Sequence, residues 1–248
     1  MTTSPSLLPS SAIALVTGAN KGIGLEVARQ LAQQGLTVLV GARDRLRGEA
    51  AAARLQAEGL RAEFLHLDVA DDASVTAAAA EVKARYGRLD VLVNNAGVQL
   101  EQQPSSLVAM QVLQDTFDIN VFGVVRVTQA MLPLLRAAGT ARIVNMGSAL
   151  GSLTLTSDPD NMRSGVRLLA YATSKAALNA VTVQFANELR AEGIRVNAAD
   201  PGYVATDLSG QQGFNSAEDG ALPAVRLALL QPGGPTAGFF NIDGPVPW

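Results

Sequence analysis

The stretch that decides the fold is Thr17-Gly18-Ala19-Asn20-Lys21-Gly22-Ile23-Gly24, a glycine-rich loop. The apolar run at 12–17 before it predicts a short buried strand, and residues 22–34 after it predict a helix that ends at Gly35. Glycines at such a turn let the backbone bend sharply and let a phosphate approach the free N–H groups of the helix N-terminus. The spacing G-x-x-x-G-x-G departs from the usual G-x-G-x-x-G, so the loop alone also fits a tight turn that binds nothing.

The same alternation of strand and helix continues along the chain. Further strands are predicted at 36–40, 62–67, 89–93, 142–146, 194–198 and 236–242, and further helices at 44–58, 71–86, 110–138 and 169–192. Buried strands separated by helices indicate βαβ units and a parallel sheet covered on both faces. We therefore predict an α/β fold with a single Rossmann-type, doubly wound sheet of about seven strands. Residues 12–248 would form one domain after a flexible tail at 1–11.

The composition excludes several classes of partner and several kinds of catalytic or metal site. Of 248 residues, 48% are hydrophobic and 17% charged, the formal net charge is −3, and no basic run occurs. We therefore expect neither nucleic acid nor an anionic membrane as a partner. The chain has no cysteine, which excludes thiolate nucleophiles and Cys-ligated metals. Its single histidine, His66, falls inside the third predicted strand, where we expect a structural or partly buried side chain and no metal site.

The cellular compartment is predicted from the lack of a membrane segment, a signal peptide and cysteine in the sequence. No segment is apolar over the length that a bilayer requires, and residues 1–11 have no positive charge and no sustained apolar core, unlike a signal peptide. The absence of cysteine fits a reducing compartment. We expect a cytoplasmic protein.

Polar residues follow several strands at the edge where parallel sheets bind ligands. After the second strand, Ala42 stands where NAD-binding proteins usually place an acid, and Arg43 follows it. Arg43 and Lys21 would suit the 2′-phosphate of NADP. Taken alone, Arg43 is more simply a solvated surface side chain, and only the glycine loop favours the cofactor interpretation.

The motif Tyr171-Ala172-Thr173-Ser174-Lys175 lies in a predicted helix, where positions i and i+4 share a face. An ammonium group beside a phenol favours the phenolate and would lower the Tyr171 pKa from its usual value near 10. Such a phenol could act as a general acid or base near neutral pH. Ser148, just after the fifth strand, could donate a hydrogen bond to a carbonyl oxygen. For the motif alone, a surface Tyr–Lys pair is the simpler alternative.

In chain order, TGANKGIG, NNAG at 94–97, Ser148, the Tyr171–Lys175 motif and Asp200-Pro201-Gly202 resemble the short-chain dehydrogenase/reductase family, over residues 12 to about 206. The resemblance implies a catalytic tetrad of Asn120, Ser148, Tyr171 and Lys175, in which Asn120 holds a water of a proton relay. It assigns the contacts with the dinucleotide to Gly18, Asn20, Lys21, Gly22, Ile23, Gly24, Arg43, Asp68, Val69, Asn95, Ala96, Gly97, Tyr171, Lys175, Pro201, Gly202, Val204 and Thr206.

A finer likeness is to the NADPH-dependent carbonyl reductases of that family. It rests on Asn20-Lys21, Ala42-Arg43-Asp44 and PGYVATDL at 201–208. It implies hydride transfer from NADPH, which becomes NADP+, to a small-molecule ketone or aldehyde, with Tyr171 as the proton donor. Oxidation of a secondary alcohol by an NAD(P)-dependent dehydrogenase is the alternative. A non-catalytic dinucleotide-sensing regulator is less well supported, because both Tyr171 and Lys175 are present.

Ser148 and Tyr171 are 23 positions apart, a longer separation than the family usually shows. We interpret residues 152–168 as a loop insertion that forms a wall of the substrate pocket, opposite a substrate loop at 202–220. The same departure bears on assembly. The resemblance implies a homodimer or homotetramer, and the insertion leaves a monomer open.

Overall fold

The computed structural model describes residues 11–248, and residues 1–10, most of the predicted flexible tail, lie outside the described residues. Seven parallel strands form one sheet in the order β3-β2-β1-β4-β5-β6-β7. They are β1 (Ile13–Thr17), β2 (Thr37–Ala42), β3 (Ala62–His66), β4 (Val91–Asn94), β5 (Arg142–Met146), β6 (Arg195–Ala199) and β7 (Phe239–Phe240). The strand order reverses between β1 and β4, which is the topological switch point of a doubly wound sheet. The predicted fold class is confirmed.

Eight α-helices connect these strands within residues 11–248. They are α1 (Gly22–Gln33), α2 (Arg45–Ala57), α3 (Asp72–Tyr86), α4 (Met110–Phe117), α5 (Gly123–Ala137), α6 (Leu153–Ser157), α7 (Leu169–Leu189) and α8 (Ala217–Ala228). Strand β1 shows why both faces of the sheet are covered. Ala14 and Val16 pack into a core cluster with α1, α2 and α8, whereas Ile13 and Leu15 pack into a second cluster with α3, α5 and α7.

Several predicted features differ from the structure, and the strand predicted at 236–242 is only Phe239–Phe240. The helix predicted at 110–138 is helical over Met110–Ala137, as expected, but it contains an unpredicted π-helical turn at Asp118–Phe122 between α4 and α5. The loop predicted at 202–220 ends earlier, since α8 begins at Ala217. His66 ends the edge strand β3 and is exposed, so the expectation of a partly buried side chain is wrong. No helix in the described part of the chain is long and apolar enough to cross a bilayer.

Candidate active site

Three of the four predicted tetrad residues meet where β5 ends and α7 begins. Lys175 Nζ donates a hydrogen bond to the Met146 carbonyl oxygen at 2.7 Å and lies 5.5 Å from the centroid of the Tyr171 ring. The Ser148 side chain, whose Oγ accepts from the Leu150 N–H at 3.2 Å, lowers the pKa of the Tyr171 phenol and so faces the same point. The i, i+4 spacing on α7 thus places the ammonium and the phenol on one face, opposite the serine that follows β5.

Asn120 lies in the π-helical turn and is completely buried. Its Oδ1 accepts from the Val98 N–H at 2.8 Å, and its Nδ2 donates to the Val98 carbonyl at 2.9 Å and to Ser174 Oγ at 3.0 Å. The amide therefore ties the loop after β4 to α7. Its role as the holder of a relay water stays a prediction.

Burial is the main cause of the pKa shifts of Tyr171 and Lys175 on α7. Burial raises the pKa of Tyr171 to about 12, the Ser148 hydrogen bond opposes this rise, and the charge of Asp200 adds to it. Burial also lowers the pKa of Lys175 to about 8. The expectation that Lys175 lowers the Tyr171 pKa is therefore wrong, because desolvation dominates and the ammonium donates to Met146. Tyr171 is a protonated phenol at neutral pH.

Asp200 is a buried carboxylate that the sequence motifs did not single out for a role of its own. It follows β6, and its Oδ1 accepts from the Gly202 N–H at 3.2 Å. Burial raises the Asp200 pKa, while the backbone N–H groups of Gly202 and Ala149 and the charge of Arg163 lower it. Since Arg163 belongs to the insertion, this coupling indicates that the insertion approaches the candidate site.

The glycine loop packs tightly against the loop after β4. A Cβ at Gly18, whose φ is +64°, would lie 2.9 Å from Ala96 Cα, so a side chain is excluded there. Asn95 Nδ2 donates to the Thr17 carbonyl at 2.8 Å, which fixes the two loops together. A Cβ placed on Gly97 would lie 3.6 Å from Lys175 Nζ. The loop after β4, which carries predicted cofactor contacts, and the candidate catalytic lysine are therefore neighbours.

The remaining predicted cofactor residues lie at the same edge of the sheet. Asp68 and Val69 follow β3, and Pro201, Gly202, Val204 and Thr206 follow β6. A Cβ placed on Gly22 would lie 3.6 Å from Thr206 Cγ2, so the glycine loop faces the segment after β6. These positions agree with one continuous binding site, and the individual contacts remain predictions.

Cations line the outer end of the glycine loop. A cavity of about 540 Å³ is lined by Asn20, Lys21, Leu25, Arg47, Ala50, Ala51, Arg54 and Asp207. Lys21 Nζ pairs with Asp207 Oδ2 at 2.5 Å. Arg43 is exposed and makes no ion pair with any described residue. Arg47, in the first turn of α2, was not predicted from the sequence, and no helical spacing links it to Arg43, which precedes the N-cap Asp44.

The insertion is not only a loop, so that expectation is wrong for its first third. Residues 153–157 form α6, where Leu155 packs against a buried cluster that contains Phe239 and Val246. The Thr154 N–H donates to the Trp248 carbonyl at 3.0 Å. Later in the insertion the side chain of Met162 is 81% exposed, so this part does not pack into the core.

A family model described as short chain dehydrogenase matches residues 12–216. The chain belongs to this family. A short-chain dehydrogenase of Penicillium roqueforti (strain FM164) is 39% identical over 222 residues, which cover 87% of this chain and 88% of that protein. Carbonyl reductase (NADPH) 3 of Mus musculus is 34% identical over 258 residues, covering 90% and 92%. The solved structure of NADPH-bound carbonyl reductase from chicken fatty liver has a TM-score of 0.84 at 28% identity, covering 96% of this chain and 99% of that one.

The predicted family and the general class of oxidoreductase are confirmed by these matches. The region of this short-chain dehydrogenase that the family model matches contains all four tetrad candidates, Asn120, Ser148, Tyr171 and Lys175. The described residues contain no cluster of three or more His, Asp or Glu side chains arranged to bind a metal ion.

Proposed function

We propose that this short-chain dehydrogenase is an NADPH-dependent reductase of ketone or aldehyde carbonyls, with Tyr171 as the proton donor. One observation carries the proposal: Lys175 Nζ, fixed on the Met146 carbonyl, lies 5.5 Å from the centroid of the Tyr171 ring, and the Ser148 side chain acts on the pKa of the same phenol. Two hydroxyl donors at one point can hold a carbonyl oxygen and stabilise the negative charge that develops on it during reduction. A phenol that still carries its proton can then transfer it.

The residues divide this chemistry between them. Bound NADPH would supply the hydride. Ser148 orients the carbonyl oxygen, and Tyr171 gives up its phenolic proton to that oxygen. Lys175, which uses one N–H on the Met146 carbonyl, has two further N–H groups for the cofactor ribose and for the phenolate that proton transfer leaves behind. Asn120 holds the loop and the helix that carry these groups together.

The charge around the glycine loop supports NADPH as the cofactor. Arg43 is exposed and unpaired within the described chain, Lys21 and Arg47 line the neighbouring cavity, and Ala42 offers no acid to the ribose hydroxyl. Arginine binds phosphate in a bidentate manner, and an acid there would repel it. The names of the mouse relative and of the chicken liver structure both specify NADPH, which adds support.

The protonation state of Tyr171 at neutral pH matches the proton donor that reduction requires. Oxidation needs a phenolate that accepts the proton of an alcohol, whereas reduction needs the phenol. With a pKa of about 12, the side chain is in the donor form at neutral pH.

The proposal is tested by incubating the purified chain with NADPH and a panel of cyclic ketones, diketones, keto-esters and aldehydes, and following the loss of NADPH absorbance. We expect turnover of at least one class. Tyr171→Phe should lower kcat by about a hundredfold or more, while a fluorescence titration shows NADPH binding nearly intact. Tyr86→Phe, the same change at the end of α3, is the matched control and should behave as wild type. No carbonyl turnover by the wild type, or an active Tyr171→Phe enzyme, would sink the proposal.

A further inference from the structure

Glu101 lies in the loop after β4 and is only 4% exposed. Its Oε2 accepts a hydrogen bond from the backbone N–H of Tyr171, 70 positions away, at 2.8 Å. The residue that precedes α7, Leu168, provides no side-chain cap of its own. Glu101 therefore satisfies a first-turn N–H of α7 from a distant part of the chain.

The second carboxylate oxygen is unpaired. Glu101 Oε1 is buried and has no hydrogen-bond partner among residues 11–248. Burying a carboxylate oxygen without a donor costs free energy, a cost that a serine or asparagine cap would avoid. Stability alone therefore does not account for a glutamate at this position.

The backbone of Tyr171 is held on both sides. Its N–H donates to Glu101, and its carbonyl accepts from Ser174 Oγ at 2.7 Å. Ser174 Oγ in turn accepts from Asn120, whose amide holds both the N–H and the carbonyl of Val98. The loop after β4 is thus tied to the first turn of α7 at two points, one through Asn120 and one through Glu101.

We propose that Glu101 is a positioning residue for Tyr171, which couples the loop of the predicted cofactor contacts at 95–97 to the helix that carries the phenol. The inference rests on the proposed function, because the position of the phenol affects the rate only if Tyr171 transfers a proton. Cofactor and proton donor then keep a fixed separation. A displacement of about 1 Å in a catalytic group can cost about a hundredfold in rate.

Three variants of Glu101 distinguish the effect of its side-chain length, called its reach, from the effect of its charge. Glu101→Gln keeps the reach and one acceptor oxygen, and its amide nitrogen can replace Oε1 without losing a bond, since no described donor faces that atom. Glu101→Asp keeps the charge but withdraws the acceptor by one carbon–carbon bond. Glu101→Ala removes both. We expect kcat within about threefold of wild type for Glu101→Gln, and a loss of about tenfold or more for the other two variants. NADPH affinity should stay close to wild type in all three.

The cap of another helix provides the matched control. Asp71 Oδ1 accepts the Ala73 N–H at 2.9 Å at the start of α3, a helix that carries no candidate catalytic residue. Asp71→Ala should lower the melting temperature and Asp71→Asn, which keeps the acceptor oxygen, should lower it little, and neither should change kcat. Hydrogen exchange over the first turn of α7, measured by mass spectrometry, reports on the hydrogen bond from the Tyr171 N–H to Glu101 independently of activity. Exchange there should be faster in the Glu101→Asp and Glu101→Ala proteins and unchanged in Glu101→Gln.

Two results would overturn the proposal. If Glu101→Asp retains kcat and Glu101→Gln loses it, the charge matters and the reach does not. If the Glu101 variants lose only thermal stability, as Asp71→Ala does, Glu101 is merely a helix cap. The glutamine and aspartate variants decide the question even where the alanine variant fails to fold. A wild type without carbonyl turnover refutes the proposed function instead, and the exchange pattern then still shows whether Glu101 holds the first turn of α7.

Discussion

Lys175 is joined to Met146 by a hydrogen bond of 2.7 Å between Nζ and the carbonyl oxygen, which connects α7 to the end of β5. Lys175 is 5% exposed and forms no salt bridge with the described residues. An ammonium buried without a carboxylate partner costs free energy, and burial accordingly lowers its pKa to about 8. The candidate site thus retains a cation that opposes folding.

Lys175→Met should therefore stabilise the chain while abolishing reduction. The folded-state pKa of about 8 lies below the ordinary value of 10.5, so the cost of burying the cation is fully present below pH 8 and is relieved as the pH rises to 10.5. At neutral pH we expect a gain of about 1–2 kcal/mol in the free energy of unfolding, because the unpaired Met146 carbonyl offsets part of the benefit.

Urea unfolding at neutral pH and again near the ordinary lysine pKa measures this effect. The advantage of the Lys175→Met protein should shrink at the higher pH. Lys83→Met, at an exposed position of α3, is the control and should change stability little at either pH. A Lys175→Met protein less stable than wild type at neutral pH would contradict the argument.

Asp200→Asn and Ser148→Ala should shift the pH profile of reduction in opposite directions. Burial sets the raised pKa of Tyr171, the Ser148 hydrogen bond lowers it, and the Asp200 charge raises it. Removing the charge should therefore lower the Tyr171 pKa, and removing the hydrogen bond should raise it, each by on the order of one pH unit. Activity should be lost in two alkaline steps: Lys175 titrates first, near its pKa of about 8, and the later loss of the phenolic proton moves to lower pH in Asp200→Asn and to higher pH in Ser148→Ala.

The ultraviolet absorbance of the phenolate across the alkaline range, with Tyr171→Phe subtracted, identifies the Tyr171 step separately from that of Lys175. Single-turnover rates accompany it, since Ser148→Ala also loses a donor to the carbonyl oxygen and turns over slowly. Asp243→Asn makes the same charge change at an exposed position and should leave the profile in place. Shifts of the same sign in the Asp200→Asn and Ser148→Ala proteins would show that Tyr171 is not the group that titrates.

Much of the site can be predicted because its residues follow strands. Parallel strands that are buried on both faces appear as continuous apolar runs, and their carboxyl ends meet at one edge, so Ser148 after β5 and Asn95 after β4 are expected near one another. The shared face of Tyr171 and Lys175 follows from the helical period. In these cases local pattern and overall topology point to the same arrangement.

The parts of the fold and of the site that the sequence does not predict depend on contacts between residues far apart in the chain. Helix α8 contains Gly220 and Pro223, which are typical helix breakers, yet Gly220 is needed because a Cβ there would clash with Val204. The bond from Glu101 to Tyr171 spans 70 positions and two loops. The raised pKa of Tyr171 reflects how deeply α7 is packed, a tertiary property, whereas its spacing from Lys175 predicts the opposite shift.

Arg43→Glu should reverse the preference between cofactors. The exposed guanidinium would bind the 2′-phosphate, and a charge-assisted hydrogen bond of this kind contributes about 1.5–3 kcal/mol, so kcat/KM with NADPH should fall by about tenfold or more. Activity with NADH should fall much less or rise. Arg190→Glu, at the end of α7, makes the same charge change away from the glycine loop and should alter neither value. Equal use of NADH and NADPH by the wild type would refute the role of Arg43.

The insertion at 152–168 should separate into a structural part and a part that contacts substrate. Leu155 of α6 packs against the buried cluster of Phe239 and Val246, and the Thr154 N–H is bonded to Trp248. Leu155→Ala should therefore lower the free energy of unfolding by about 1–2 kcal/mol, less than for a completely buried leucine because Leu155 is only partly covered. Removing the whole insertion would expose Phe239 and is expected to destabilise the fold.

The second half of the insertion should determine substrate selectivity. Met162 and Val166 are exposed and apolar, and Arg163 between them is electrostatically coupled to Asp200, which places this segment beside the candidate site. Met162→Ala and Val166→Ala should raise KM for the bulkiest carbonyls of the panel by several-fold, with the melting temperature and NADPH affinity unchanged, since no core contact is lost. Leu46→Ala, an exposed leucine on α2, is the control for loss of surface apolar area. If the Met162 and Val166 variants keep the order of substrate preference of the wild type, this segment is not a wall of the pocket. Selectivity must then come from the segment after Gly202. In that segment the rings of Tyr203 and Phe214 pack edge to face, with 5.5 Å between their centroids.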